Sequence, residues 1–201
     1  MLRFELNEQL IVPRMVQLSH SGPGYLKHNL PLNQSQSMDE IVRVSFVCLG
    51  NICRSPLAQG VFQDLVNREK LDQKIHVSSA GTSGWHVGDL PDQRMCQTAQ
   101  SKGIQLRSRA QQFQRKDFDH FNLILAMDQS NLGKLEEIAP KTLPKDKLML
   151  FRSFDPENKD GLDVPDPYYG GSKGFEAVYQ MVERTCPPLL DYIKSRFLSS
   201  P

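Results

Sequence analysis

Neither sign of charge dominates this chain. Of its 201 residues, 24 are Lys or Arg and 23 are Asp or Glu, a net charge of +1. That balance argues against a basic nucleic-acid-binding face and against a surface built for anionic membranes. Long apolar runs are also missing, since none approaches the roughly 18 residues needed to cross a bilayer. Cysteine is scarce. Cys48, Cys53, Cys96 and Cys186 are too few and too scattered to staple a disulfide scaffold, and no secretory pattern precedes them. What is present suits a packed domain, with 39% hydrophobic residues to fill a core. These features predict a soluble cytoplasmic protein with free thiols.

Charge is thinnest at the start, where only Arg3, Glu5, Glu8, Arg14 and Lys27 carry it within residues 1–38. Gln, Asn, Ser, His and Pro crowd the stretch from Gln17 to Ser37 without a sustained period. We read residues 1–38 as a flexible N-terminal extension and 39–201 as the functional domain, with Met38 a candidate start.

From Ile41 the pattern becomes regular. The β-branched run Ile41–Val47 reads as a buried parallel strand. Leu57, Ala58, Val61, Phe62, Leu65 and Val66 then recur at helical spacing, with Ser55 placed as N-cap and Pro56 at the first helical position. Strands are expected at Ile75–Ser79, Phe121–Met127 and Lys147–Phe151. Helices are expected at Pro91–Lys102 (closed by Gly103), Ser130–Ala139 and roughly Gly174–Leu198. Pro187 and Pro188 should kink or interrupt the last helix, since each removes a backbone donor. Alternating strands and helices predict an α/β fold with a doubly wound four-stranded parallel sheet covered on both faces.

The first strand-to-helix turn carries the chemistry. In Val47-Cys48-Leu49-Gly50-Asn51-Ile52-Cys53-Arg54-Ser55-Pro56, a cysteine ends a parallel strand where open α/β sheets bind ligands. The loop leads into a helix N-terminus that favours an anion. Arg54 can fold back as a bidentate fork for phosphate oxygens, Gly50 allows close backbone approach, and the Ser55 hydroxyl can reach a sulfur anion. Such surroundings favour the thiolate, so Cys48 is the candidate nucleophile. A bare Cys-x5-Arg is a weak signal and a strand-end cysteine is often inert core; the whole string between strand and helix is a strong one.

The string resembles the signature of the low-molecular-weight protein tyrosine phosphatases. Ser79-Ala80-Gly81-Thr82-Ser83, Trp85-His86-Val87-Gly88, Ala126-Met127-Asp128 and Asp166-Pro167-Tyr168-Tyr169-Gly170 also resemble that family, in order, over residues 41–198. The resemblance implies a phosphate loop after the first strand and hydrolysis of phosphotyrosine and small aryl phosphates through a cysteinyl-phosphate. Tyrosine-phosphorylated proteins would be its partners, and neither cofactor nor metal is required. Cys48 would attack phosphorus while Arg54 and the loop N–H groups hold the equatorial oxygens. Asp166 would protonate the leaving phenolate and then serve as base for water. The residues alone rank Asp166 only modestly above Asp163; the resemblance selects Asp166.

Leu49, Trp85, Tyr168 and Tyr169 would line a slot for a flat phenyl phosphate, with Gly50, Asn51, Ile52, Cys53 and Ser55 completing the substrate-binding set. Related phosphoarginine phosphatases carry a threonine where Ile52 stands, so Ile52 favours phosphotyrosine. Ser78, Ser108 and Gln111 depart from residues common in relatives (Asp, His and Arg), which predicts an altered support around the loop. The resemblance further implies that Cys53 captures an oxidised Cys48 as a disulfide, although Cys53 can equally be read as packing beneath the loop. A thiol-dependent arsenate reductase shares the fold and the loop, but needs a resolving cysteine pair. Cys96 and Cys186, in two separate helices, read as core thiols.

Overall fold

The computed structural model describes residues 41–168 and 171–199. The extension expected at residues 1–38 lies outside the described residues. Four strands form one all-parallel sheet in the order β2-β1-β3-β4, with β1 Val42–Cys48, β2 Ile75–Gly81, β3 Leu123–Ala126 and β4 Leu148–Leu150. The helices are α1 Arg54–Arg68, α2 Gln93–Ser101, α3 Gln129–Ile138 and α4 Ser172–Ile193, with 3₁₀ turns at Arg115–Asp119, Phe151–Phe154 and Asn158–Asp160. The expected fold class is borne out, with strand ends shifted by a few residues.

Side-chain alternation in β1 feeds two cores. Val42, Val44, Phe46 and Cys48 face a cluster with Leu57, Phe62 and Val66 of α1 and Val178, Val182 and Leu190 of α4. Val47 faces the other way, with Ala80, Ile124, Ala126, Phe113, Phe118 and Leu135 of α3. At the centre of the first cluster Phe46 meets Phe62 and Phe151 edge-on, at centroid separations of 5.7 and 5.4 Å. Such ring pairs are each worth about 0.5–1.5 kcal/mol beyond their burial. The direction in which successive strands are added across the sheet reverses at β1, so the loops after β1 and β3 open a crevice at their carboxyl ends.

Two sequence expectations fail here. Pro187 and Pro188 do not interrupt α4, which runs unbroken to Ile193 before a π turn at Lys194–Leu198. The flanking residues Cys186, Leu189, Leu190 and Ile193 are buried in the core, and that packing outweighs two missing backbone donors. Cys186 is core as expected, but Cys96 is only half-buried and its thiol donates weakly to the Pro91 carbonyl at 3.6 Å. By contrast, Gly103 closes α2 as expected. It sits at φ 82°, with the Gly103 and Ile104 N–H groups returning to the Gln100 and Ala99 carbonyls.

Candidate active site

The loop between β1 and α1 curls around the Cys48 sulfur. The Asn51 N–H points at Sγ from 3.3 Å and the Ser55 hydroxyl lies 3.1 Å away. Asn51 makes the curl possible by adopting φ 57°, a left-handed conformation that Asn tolerates better than most residues. Its side chain, 2% exposed, is locked from three sides. Nδ2 donates to the Ser55 and Ser79 hydroxyls, both at 2.9 Å, and Oδ1 accepts from the Gln111 N–H at 2.9 Å. Ser79 in turn donates to Gln59 Oε1 at 2.7 Å. Gln111 also donates from Nε2 to the Ser79 carbonyl at 2.9 Å. Of the three positions expected to alter this support, Gln111 bonds into the network of neutral amides and hydroxyls, while the Ser78 hydroxyl is buried without a hydrogen bond and Ser108 lines a different cavity.

Ser55 is not the N-cap of α1. Cys53 holds that position without a side-chain bond, and Arg54 opens the helix. The Ser55 hydroxyl is occupied by Cys48, Asn51 and the Ala80 carbonyl, the last at 3.2 Å, so none of it is left to cap.

Arg54 is 3% exposed, and its fork is aimed by groups from two distant segments. One nitrogen donates to Asp128 Oδ2 at 2.5 Å and to the Val164 carbonyl at 3.1 Å; the other donates to Asp166 Oδ2 at 2.9 Å. Burial would lower the guanidinium pKa, but the Cys48 sulfur, Asp166 and Asp128 outweigh it and raise it above its ordinary value. Asp128 lies two residues past the end of β3 and has two roles. Its Oδ1 accepts from the Asn131 N–H at 2.7 Å, capping α3, while Oδ2 takes the arginine. From sequence Asp128 was quoted within a motif without a role; an acid between a strand and the first turn of the next helix was the available signal. Burial, and then the Asp92 carboxylate, push the Cys53 thiol well above its usual range.

A cavity of about 190 Å³ opens over the sulfur, lined by Cys48, Leu49, Gly50, Ile52, Cys53 and Arg54 below and Trp85, His86, Asp166 and Tyr168 above. The structure thus brings together most of the expected residues at one crevice. Asn51 and Ser55 stand behind its wall, and Tyr169 lies outside the described residues. Trp85 is 77% exposed on the rim. From sequence His86 was quoted within the Trp85–Gly88 motif without a role. Its Nδ1 lies 2.9 Å from Asp89 Oδ2, and its ring rests so close to Gly50 that a Cβ there would meet Cδ2 at 3.0 Å. Gly81 at the end of β2 is equally constrained, with the Leu49 carbonyl 2.8 Å from where its Cβ would stand. Among the described residues no cluster of three or more His, Cys, Asp and Glu side chains is placed to hold a metal.

Residues 43–197 match the family model described as low molecular weight phosphotyrosine protein phosphatase. The chain belongs to the low molecular weight phosphotyrosine protein phosphatase family. A low molecular weight protein-tyrosine-phosphatase of Streptomyces coelicolor is 43% identical over 155 residues, covering 77% of this chain and 94% of that protein. Among solved structures, a protein tyrosine phosphatase from Entamoeba histolytica is 37% identical with a TM-score of 0.73, covering 77% of this chain and 97% of that one. The Drosophila arginine phosphatase is 35% identical with a TM-score of 0.70, covering 76% and 98%. In this phosphatase family member, the matched span takes in every residue assembled at the crevice. Among the described residues, no helix is long and apolar enough to cross a membrane.

Proposed function

We propose that residues 39–201 form a cytoplasmic phosphatase domain that hydrolyses phosphotyrosine in proteins, with Cys48 as nucleophile, Arg54 as phosphate clamp and Asp166 as acid and then base. The observation that carries this reading is the grouping of the Cys48 thiol, the Arg54 guanidinium and the Asp166 carboxyl around a single cavity, with the Cys48 sulfur at its floor. The sulfur meets the Asn51 N–H, and the Ser55 hydroxyl can turn its one proton from the Ala80 carbonyl to a thiolate, so both stabilise negative charge there before and after attack. Phosphate oxygens would take the Arg54 nitrogen that Asp166 engages, freeing the acid for the leaving phenolate. The protonated carboxyl then gives its proton to that oxygen, and in the second step accepts one from the water that cleaves the cysteinyl-phosphate. Every group needed is a side chain or N–H of this chain, so the reaction as written uses no cofactor.

The likeness to an arginine phosphatase supports a second reading, phosphoarginine hydrolysis. Ile52 in the cavity wall argues for phosphotyrosine, since its apolar side chain suits a phenyl ring. The arsenate reductase reading has less support, because Cys186 is wholly enclosed in the core and distant in sequence from the loop. Turnover of matched phosphotyrosine and phosphoarginine peptides separates the readings. We expect phosphotyrosine to be cleaved faster, with Cys48→Ser inactive and Asp166→Asn slower by about 10²–10⁴. A preference for phosphoarginine would reverse the substrate assignment, and damage from Asp163→Asn in place of Asp166→Asn would reverse that of the acid.

A further inference from the structure

Arg94, at the second position of α2, meets the cavity lining at Tyr168. Its bonds tie together three pieces of the site. Its Nε and one terminal nitrogen pair with the Asp92 carboxylate at 3.0 and 2.8 Å. Asp92 caps α2 through the Arg94 N–H at 2.8 Å, and its own N–H donates to the Ile52 carbonyl of the phosphate loop at 2.7 Å. The remaining terminal nitrogen of Arg94 donates to the Tyr168 carbonyl at 3.1 Å. The guanidinium also lies 4.6 Å from the ring centroid of Phe175 in the first turns of α4, and 5.4 Å from that of Tyr168. The Tyr168 N–H, on the other side of the same residue, donates to Asp166 Oδ1 at 3.1 Å.

We infer that Arg94 is a positioning residue for the general acid. Together with Asp92 it clamps the segment carrying Asp166 against the phosphate loop, and the Tyr168 N–H fixes the rotation of the carboxyl. This rests on the assignment of Asp166 as the acid. The geometry needs arginine in particular. A planar fork can pair with a carboxylate, reach a carbonyl and lie over a ring at once, which a lysine ammonium cannot. The carboxyl itself is 39% exposed on its side chain and has few walls of its own, so an external brace sets where its proton is delivered.

The prediction is read from leaving-group dependence. Proton donation matters most when the departing phenolate is a poor leaving group, and kcat/KM reports the steps through its departure. We would measure kcat/KM on p-nitrophenyl, phenyl and alkyl-substituted phenyl phosphates for wild type, Arg94→Gln, Asp166→Asn and the double variant, with inorganic phosphate inhibition and melting temperature alongside. Arg94→Gln should lower kcat/KM on phenyl phosphate about 10-fold or more while changing p-nitrophenyl phosphate by less than about 3-fold. Phosphate inhibition should stay within about 2-fold, and in the Asp166→Asn background the same change should cost less than about 2-fold on any substrate. An equal loss on all substrates, or an undiminished loss in the Asp166→Asn background, would overturn the inference. If Asp166→Asn steepens the dependence and Arg94→Gln does not, only the role of Arg94 fails. If Asp166→Asn leaves it flat, the acid assignment fails and the inference falls with it.

Discussion

Replacing Asp128 separates two jobs that one carboxylate performs. Its Oδ1 caps α3 and its Oδ2 orients Arg54 from 2.5 Å, between side chains that are 19% and 4% exposed. Asparagine caps as well as aspartate does, so Asp128→Asn should keep α3 intact and remove only the charge beside the guanidinium. A hydrogen bond between charged groups is worth about 1.5–3 kcal/mol. If that sum is lost from the transition state, kcat/KM falls roughly 10- to 150-fold, at about 1.4 kcal/mol per decade. The guanidinium keeps Asp166 and the Val164 carbonyl as partners, which limits the damage to folding and draws it away from the position a phosphate needs. Asp128→Ala should lose the same activity and also the cap, about 1 kcal/mol, seen as a further fall of about 2–4 °C in melting temperature for a domain of this size. Steady-state kinetics on an aryl phosphate with thermal melts of both variants make the comparison. Wild-type kcat/KM in Asp128→Asn would refute the reasoning, as would equal melting temperatures for the Asn and Ala variants.

Two further outcomes are expected. The Asp155 carboxyl is enclosed between Arg152 and Arg184; burial pushes its pKa up, but bonds from Arg184, the Glu157 N–H and Arg152 outweigh that and hold it below the usual carboxylate range. Its contribution is therefore present at neutral pH and lost as the pH falls below the ordinary carboxylate value toward the folded one, so Asp155→Asn should cost about 3 kcal/mol at pH 7 and about 1 kcal/mol less at pH 3 by chemical denaturation; an equal cost at both would contradict the assignment. Peroxide should inactivate the enzyme reversibly through a Cys48–Cys53 link found by peptide mapping, and Cys53→Ser should recover poorly with dithiothreitol; a link from Cys48 to Cys96, or full recovery of Cys53→Ser, would overturn it.

Local patterns were legible in sequence wherever a single segment carries the whole signal. The β-branched run of β1, the helical spacing of α1 and the string from Cys48 to Pro56 lie within one strand-loop-helix unit, and the structure keeps them together. Groups that act across the chain were not legible. Asp128 reaches Arg54 over 74 residues and Arg94 reaches Tyr168 over another 74, pairings that no local period announces. The reach of Ser55 to the sulfur was legible, but its capping role was misjudged because a serine before a helical proline is an ordinary cap; the fold gives its hydroxyl to the sulfur, Asn51 and the Ala80 carbonyl. Pro187 and Pro188 misled for the opposite reason, since a strong local rule gave way to burial of the residues around them. The slot position of Trp85 was legible, but the contact of the neighbouring His86 ring with Gly50 joins residues far apart in the chain, and no local period announces it.

The central claim is that phosphate passes through the sulfur of Cys48. Acid quenching during turnover of a ³²P-labelled phosphotyrosine peptide, followed by peptide mapping, tests it directly. Label should appear on the Cys48 peptide of the wild-type protein within one turnover, disappear as substrate is exhausted, and be absent from Cys48→Ser. Hydrolysis at the wild-type rate with no label on that peptide, or with label on another residue, would contradict it.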